Sequence, residues 1–131
     1  MIVALVGIPA CAATAANGDP LDICVSRYNE GLRWKRLNNA SAFVVPERRA
    51  AFMRRYLSRE EDLHIESLEV RAVTKIDEAA VPTFDVTVVA EAYLMPSTVL
   101  QKTVLTERWE QREGSWLLVA SEPELVPEPA R

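Results

Sequence analysis

Residues 83–121 leave the chain little freedom in how it folds. Two turn signals, Pro96-Ser97 and Glu113-Gly114, cut this stretch into strands at 83–95, 98–112 and 115–121. Proline presets φ and glycine admits φ > 0, so both mark reversals. With two-residue hairpin turns, position 95 faces 98, 91 faces 102 and 85 faces 108. One face then sets Asp85 against Arg108 and Glu91 against Lys102. Such cross-strand pairs contribute about 0.2–1 kcal/mol each. The other face carries Phe84, Val86, Val88, Ala90, Ala92, Leu94, Val99, Leu105 and Trp109. Across the second turn Trp109 faces Leu118 and Gln111 faces Trp116, which brings both tryptophans to the apolar face. A slip of one residue would send this set into water.

The remainder supplies what covers that face. Residues 64–77 alternate as a fourth strand, with Leu68, Val70, Ala72 and Ile76 opposed to Glu69, Arg71, Val73 and Lys75. Asp19-Pro20 is a helix start, aspartate at the cap and proline in the first turn. A helix over 21–37 places Leu21, Cys24, Tyr28, Leu32 and Lys35 on one stripe. Cys24 on that stripe is a packing residue. A short apolar segment at 40–45 ends at Pro46, which opens a second main helix over 46–57 with Phe52, Met53, Tyr56 and Leu57 as its apolar face. Arg48, Arg49, Arg54, Arg55 and Arg59 surround it. They form either a solvated face that neutralises Glu60, Glu61 and Asp62 or a patch for acidic headgroups. Helices followed by four antiparallel strands with one apolar face make an α+β domain, its N-terminal helices packed on one face of a curved sheet.

Residues 1–10, MIVALVGIPA, have the length of a signal-peptide h-region and are too short to span a bilayer. No basic residues precede them, as a start codon placed too late or a truncated chain would leave them. Ile8-Pro9-Ala10-Cys11 resembles a bacterial lipobox, with Cys11 as the lipid attachment site of a mature N-terminus. Several acyl chains on one cysteine give a stable anchor where one does not. Ala12, in place of the aspartate that holds lipoproteins at the inner membrane, favours the outer membrane facing the periplasm. Ala13-Thr14-Ala15 offers the alternative of an ordinary cleavage site and a secreted protein. A cytoplasmic protein follows if the segment is simply part of the fold. The organisation is thus a leader and tether at 1–19, the α+β domain at 20–122, and a Pro-rich, extended tail at 123–131.

Composition limits the chemistry. A net charge of −4 and no basic tract give no footprint for nucleic acid. Two cysteines without a CxxC and a single histidine fall short of a transition-metal set. No cofactor is implied. His64 stands alone at a strand start, without a second base or nucleophile nearby.

The pattern resembles the cystatin-like α+β cone of the nuclear transport factor 2, ketosteroid isomerase and scytalone dehydratase superfamily. The residues that carry the resemblance are Tyr28 to Trp34 on the first helix, Pro46 to Phe52 on the later one, and Thr106 to Trp116 in the closing hairpin. It covers residues 21–121 and is also similar to small envelope lipoproteins of Gram-negative bacteria. Enzymes of the superfamily hold an acid or a His/Asp pair inside the cone, and Glu107 is the acid that fits here. The register puts it on the apolar face between Leu105 and Trp109, opposite Val86; alternatively the strand outruns the helices and leaves it at the rim, or an arginine from the second helix pairs with it. A carboxylate in apolar surroundings has a raised pKa and suits acid–base work. Gln101, Thr103 and Gln111 share that face.

Three functions are compatible with these residues. One is a non-catalytic envelope lipoprotein domain that contacts another envelope protein, held to the membrane by its lipid alone. A second is a module for a small apolar ligand, with a pocket of Phe84, Trp109, Trp116, Glu107 and Gln101. The third is an isomerase- or dehydratase-like enzyme with Glu107 as acid and base. The resemblance also implies a homodimer through the outer sheet face, where Val89, Tyr93, Leu100 and Val104 lie among charges.

Overall fold

The computed structural model describes residues 18–127. Helix α1, Leu21–Arg33, is followed by a short α2, Leu37–Ser41, a 3-10 turn, Pro46–Arg48, and α3, Arg49–Ser58. Four strands complete the domain: β1 Leu63–Lys75, β2 Thr83–Leu94, β3 Gln101–Arg112 and β4 Ser115–Glu122. They form one antiparallel sheet in the order β1-β2-β3-β4. This is the α+β arrangement implied by the sequence, with the helices on one face.

The β2–β3 register follows from alternation. Asp85 pairs with Arg108, Glu91 with Lys102 and Val86 with Glu107. On the outer face Arg108 Nε and Nη2 donate to the two Asp85 oxygens at 2.8 and 2.9 Å. Glu91 accepts instead from Ser67 Oγ at 3.3 Å on the neighbouring strand. The second turn is the two-residue hairpin expected, with Glu113 at φ 52° and Gly114 at φ 84°. Positive φ at both positions matches the right-handed twist of the strands. It sets Trp109 against Leu118 and Gln111 against Trp116.

Four local expectations are corrected. The first turn is a six-residue loop at 95–100 rather than a two-residue one. Pro96 has no N–H to pair, and the Ser97 and Met95 amides donate to Leu94 O and Asp62 O. Val99 therefore leaves the apolar face and is 62% exposed. In β1 the alternation breaks at a bulge between Val70 and Ala72. The extra residue shifts the phase, so Val73 instead of Ala72 comes opposite inward-facing Val86. Helix α1 stops at Arg33, because Lys35 adopts φ 59° and the Lys35 and Arg36 amides bond back to Leu32 O and Gly31 O. The domain does not end at residue 122. Val126 is fully buried, its carbonyl accepts from Arg55 Nη1 at 2.8 Å, and Leu125 packs on the core.

The core lies between the inner sheet face and one stripe of α1. Cys24, Val25, Tyr28 and Leu32 meet Val86, Val88, Leu105, Trp109 and Leu118. Phe43 and Val44 close the β4 edge, where Leu118 N donates to Phe43 O at 2.7 Å. On α3, Phe52 and Tyr56 are buried while Leu57 is 51% exposed. Arginines at the two ends of this helix, Arg49 in its first turn and Arg59 just past its last residue, tie chain segments together. Arg49 donates to Val44 O and Ala42 O, and Arg59 to Asp62 and Met95 O.

The close approach of α1 and α2 requires glycine at position 31. A Cβ there would lie 3.0 Å from the Ala40 Cβ and 3.1 Å from its backbone nitrogen. Gly31→Ala gains about 1 kcal/mol of helix propensity against an overpacking cost of about 1–3 kcal/mol. A net loss of stability is expected in urea unfolding; a gain of the full propensity would show that the two helices can separate freely.

Candidate functional site

Between α1 and the inner face of β1 lies a groove of about 440 Å³, within the range of small-ligand sites. Leu21 and Val25 from α1, Leu68, Val70 and Val73 from β1, and Val86 from β2 form its apolar lining. The β1 bulge creates this wall by placing Val70 and Val73 on one side. Both remain 46% and 54% exposed because no helix covers the far half of β1. The polar side is a column on α1: Asp22, Ser26, Asn29 and Glu30. Their spacing of three and four residues puts them on one helix face.

Behind Asn29 lies the one fully buried carboxyl among the described residues, Glu107. Strand β3 holds it between Leu105 and Trp109. Trp109 Nε1 donates to Glu107 Oε1 at 3.1 Å. Oε2 has no partner, and neither does Asn29 Oδ1. The Asn29 amide gives its N–H to Val25 O at 3.0 Å. Two buried acceptors without a donor are costly, and a proton held on Glu107 supplies one. Burial pushes the Glu107 carboxyl up to about 7; the Trp109 indole and the Asn29 amide act against that rise, and Glu124 adds to it. Tyr28 and Tyr56 pack around the same region, their hydroxyls pushed up by burial. Tyr28 meets the Trp109 ring edge-on at 5.8 Å.

The structure brings together only part of the set expected from sequence. Glu107 and Trp109 are adjacent and buried. Phe84 and Trp116 are half-buried and pack against each other at 5.5 Å, edge to face. Gln101 is exposed at the start of β3, beyond the reach of the helices, and does not join them. Cys11 lies outside the described residues. His64 stacks on Tyr93 at 4.8 Å across β1 and β2. Cys24 is buried and its thiol is pushed up by burial. Asn29 was not singled out from sequence, although a polar residue four after Val25 on the apolar stripe was the available signal. No helix among the described residues is long and apolar enough to cross a membrane.

The Glu107 carboxyl sets a pH dependence of stability. Its folded-state value is raised, so its contribution is fully present below the ordinary 4.5 and is lost as pH rises through about 7. That interval corresponds to about 3 kcal/mol. Glu107→Gln, which is neutral at every pH, is expected to match the parent at pH 4 and to exceed it by about 2–3 kcal/mol at pH 8 in chemical denaturation. Equal stability at both pH values would mean that Glu107 is solvated.

No family model and no curated protein matches the chain. Among solved structures it is similar to a SEC-C motif-containing protein of Rhodopseudomonas palustris, with 19% identity and a TM-score of 0.58 over 85% of this chain and 83% of that one. It is also similar to an NTF2-like protein of Cytophaga hutchinsonii, with 9% identity and a TM-score of 0.55 over 79% of this chain and 95% of that one. At such identities the likeness is one of fold. The chain is a small α+β domain whose helices and four-stranded antiparallel sheet follow the NTF2-like arrangement.

Proposed function

We propose that this domain binds a small apolar ligand in the groove between α1 and β1, and that it does so without catalysis. The groove itself carries the reading: about 440 Å³ bounded by aliphatic side chains, two of them valines left half-exposed. Exposed valines on an inner sheet face are the kind of apolar surface that a ligand covers.

The enzymatic alternative has some of what it needs. Glu107 is buried and a donor lies within hydrogen-bond reach. Against it, Glu107 is 0% exposed and does not line the groove, from which Asn29 separates it. A general acid or base must come within reach of the proton it moves.

The envelope reading rests on residues 1–16. Under it the same domain is tethered to a bacterial membrane through lipid on Cys11, with the groove facing the periplasm, where an envelope protein is its partner.

A neutral solvatochromic naphthalene dye tests the groove. The parent is expected to bind it with blue-shifted emission. Val70→Arg and Val73→Arg, at half-exposed positions, are expected to abolish binding and leave the melting temperature within a few degrees. Unchanged emission in both variants would place the dye elsewhere. The tether is checked by intact mass of the protein from membranes of its native host, with the upstream codons restored. The expected chain starts at Cys11 and carries a diacylglycerol and an acyl chain; an unmodified soluble chain from Met1 would sink the export reading.

A further inference from the structure

The two long walls of the groove differ in kind. The strand wall is aliphatic, from Leu68, Val70 and Val73. The helix wall presents Asp22 and Glu30, and these are the only ionisable groups among the described residues that line it. Both are exposed at the rim, on either side of Ser26. The cations of the same helix are engaged elsewhere. Arg27 Nη1 pairs with Asp19 Oδ2 at 2.6 Å, and the Arg33 guanidinium lies over the Trp34 ring at 4.6 Å. On β1, Arg71 pairs with Glu69 at 2.7 Å. Glu30 accepts a hydrogen bond from Trp34 Nε1 at 2.9 Å, a neutral donor that leaves its charge in place.

The uncharged polar groups of that wall are Ser26, exposed between the two carboxylates, and Asn29, whose Oδ1 is buried and serves the core side at Glu107. The helix wall therefore presents negative charge at its rim, with no cation among the described lining residues to offset it. A fatty acid or phosphate head would meet repulsion there and find no basic residue among the described lining residues. A protonated amine would meet two opposite charges.

We infer that the groove selects cationic amphiphiles, with the aliphatic tail against Val70 and Val73 and the ammonium head at Asp22 and Glu30. This rests on the groove being the ligand site. It adds the class of ligand and excludes anionic lipids as occupants. Because the carboxylates are at the rim, the selectivity is electrostatic and screened by salt.

Three probes of equal chain length separate head from tail: decylammonium, decanol and decanoate, each below its micelle concentration, titrated calorimetrically into the folded domain at pH 7. Decylammonium is expected to bind at least about tenfold more tightly than decanoate at low salt, with decanol between them. In about 0.5 M salt the gap is expected to narrow. The double variant Asp22→Asn/Glu30→Gln is expected to bring decylammonium and decanoate within about threefold, with decanol binding unchanged as the sign of an intact groove. Decanoate binding as tightly as decylammonium to the parent would overturn the head-group selectivity and leave the groove as a ligand site. A gap that persists in the double variant would overturn it as well. Binding of none of the three would remove the groove reading, and this inference with it.

Discussion

The register of β2 against β3 is the constraint on which the remaining structure depends. Each strand is buried on one face only, so the pairing of Val86 with Glu107 and of Asp85 with Arg108 is decided by water. A shift of one residue would turn the apolar set of the strand that moves into water, Val86 and Val88 on β2 or Leu105 and Trp109 on β3, a cost of several kcal/mol against a bidentate surface ion pair worth about 1 kcal/mol at most. The salt bridge at 2.8 Å therefore reports the register more than it sets it. Everything above the sheet follows, because Trp109 and Leu105 define the floor on which α1 lays Tyr28 and Val25.

The same register forces the one inconsistency in the core. A strand whose alternate residues are buried cannot exempt a single position, and position 107 is a glutamate. The domain accommodates it with one indole donor and a raised affinity for a proton, and the neighbouring Asn29 is left short of a donor as well. Replacing a buried polar group by an apolar one of equal shape is often neutral or stabilising. Glu107 persists here beside the polar wall of a groove, where the Asn29 amide is the link between the two.

What could be read from the chain was whatever is periodic. Alternation in residues 83–95 and 98–112, together with Glu113-Gly114, yields three strands, their pairing and the apolar face that carries Glu107; whether that carboxyl is buried or sits at the rim depends on how far the helices reach, which alternation does not contain. The i, i+3/i+4 stripe yields the inner face of α1. The groove was not legible, because it depends on a bulge in β1 that shifts Val73 into phase with Val70, and a bulge has no signature when valines occur on both faces of the strand. Gln101 was misplaced for a related reason: the alternation continues past the end of the helices, while burial does not. The loop at 95–100 and the seating of Val126 involve contacts between segments far apart in the chain, such as Met95 with Asp62 and Val126 with Arg55. Local pattern contains no information about those.

The seating of Val126 bears on where the folding unit stops. A boundary drawn at the last strand would cut the chain at Glu122 and discard an aliphatic plug with no exposed surface, together with the carbonyl that engages Arg55. Tyr56, whose surroundings include the Leu125 backbone and Glu124, would lose one wall of its enclosure and open the region around Glu107 to solvent. The five residues after the sheet thus act as a lid stitched to α3, and fragments, fusions or grafts of this domain have to carry them through Pro127 to retain a dry interior.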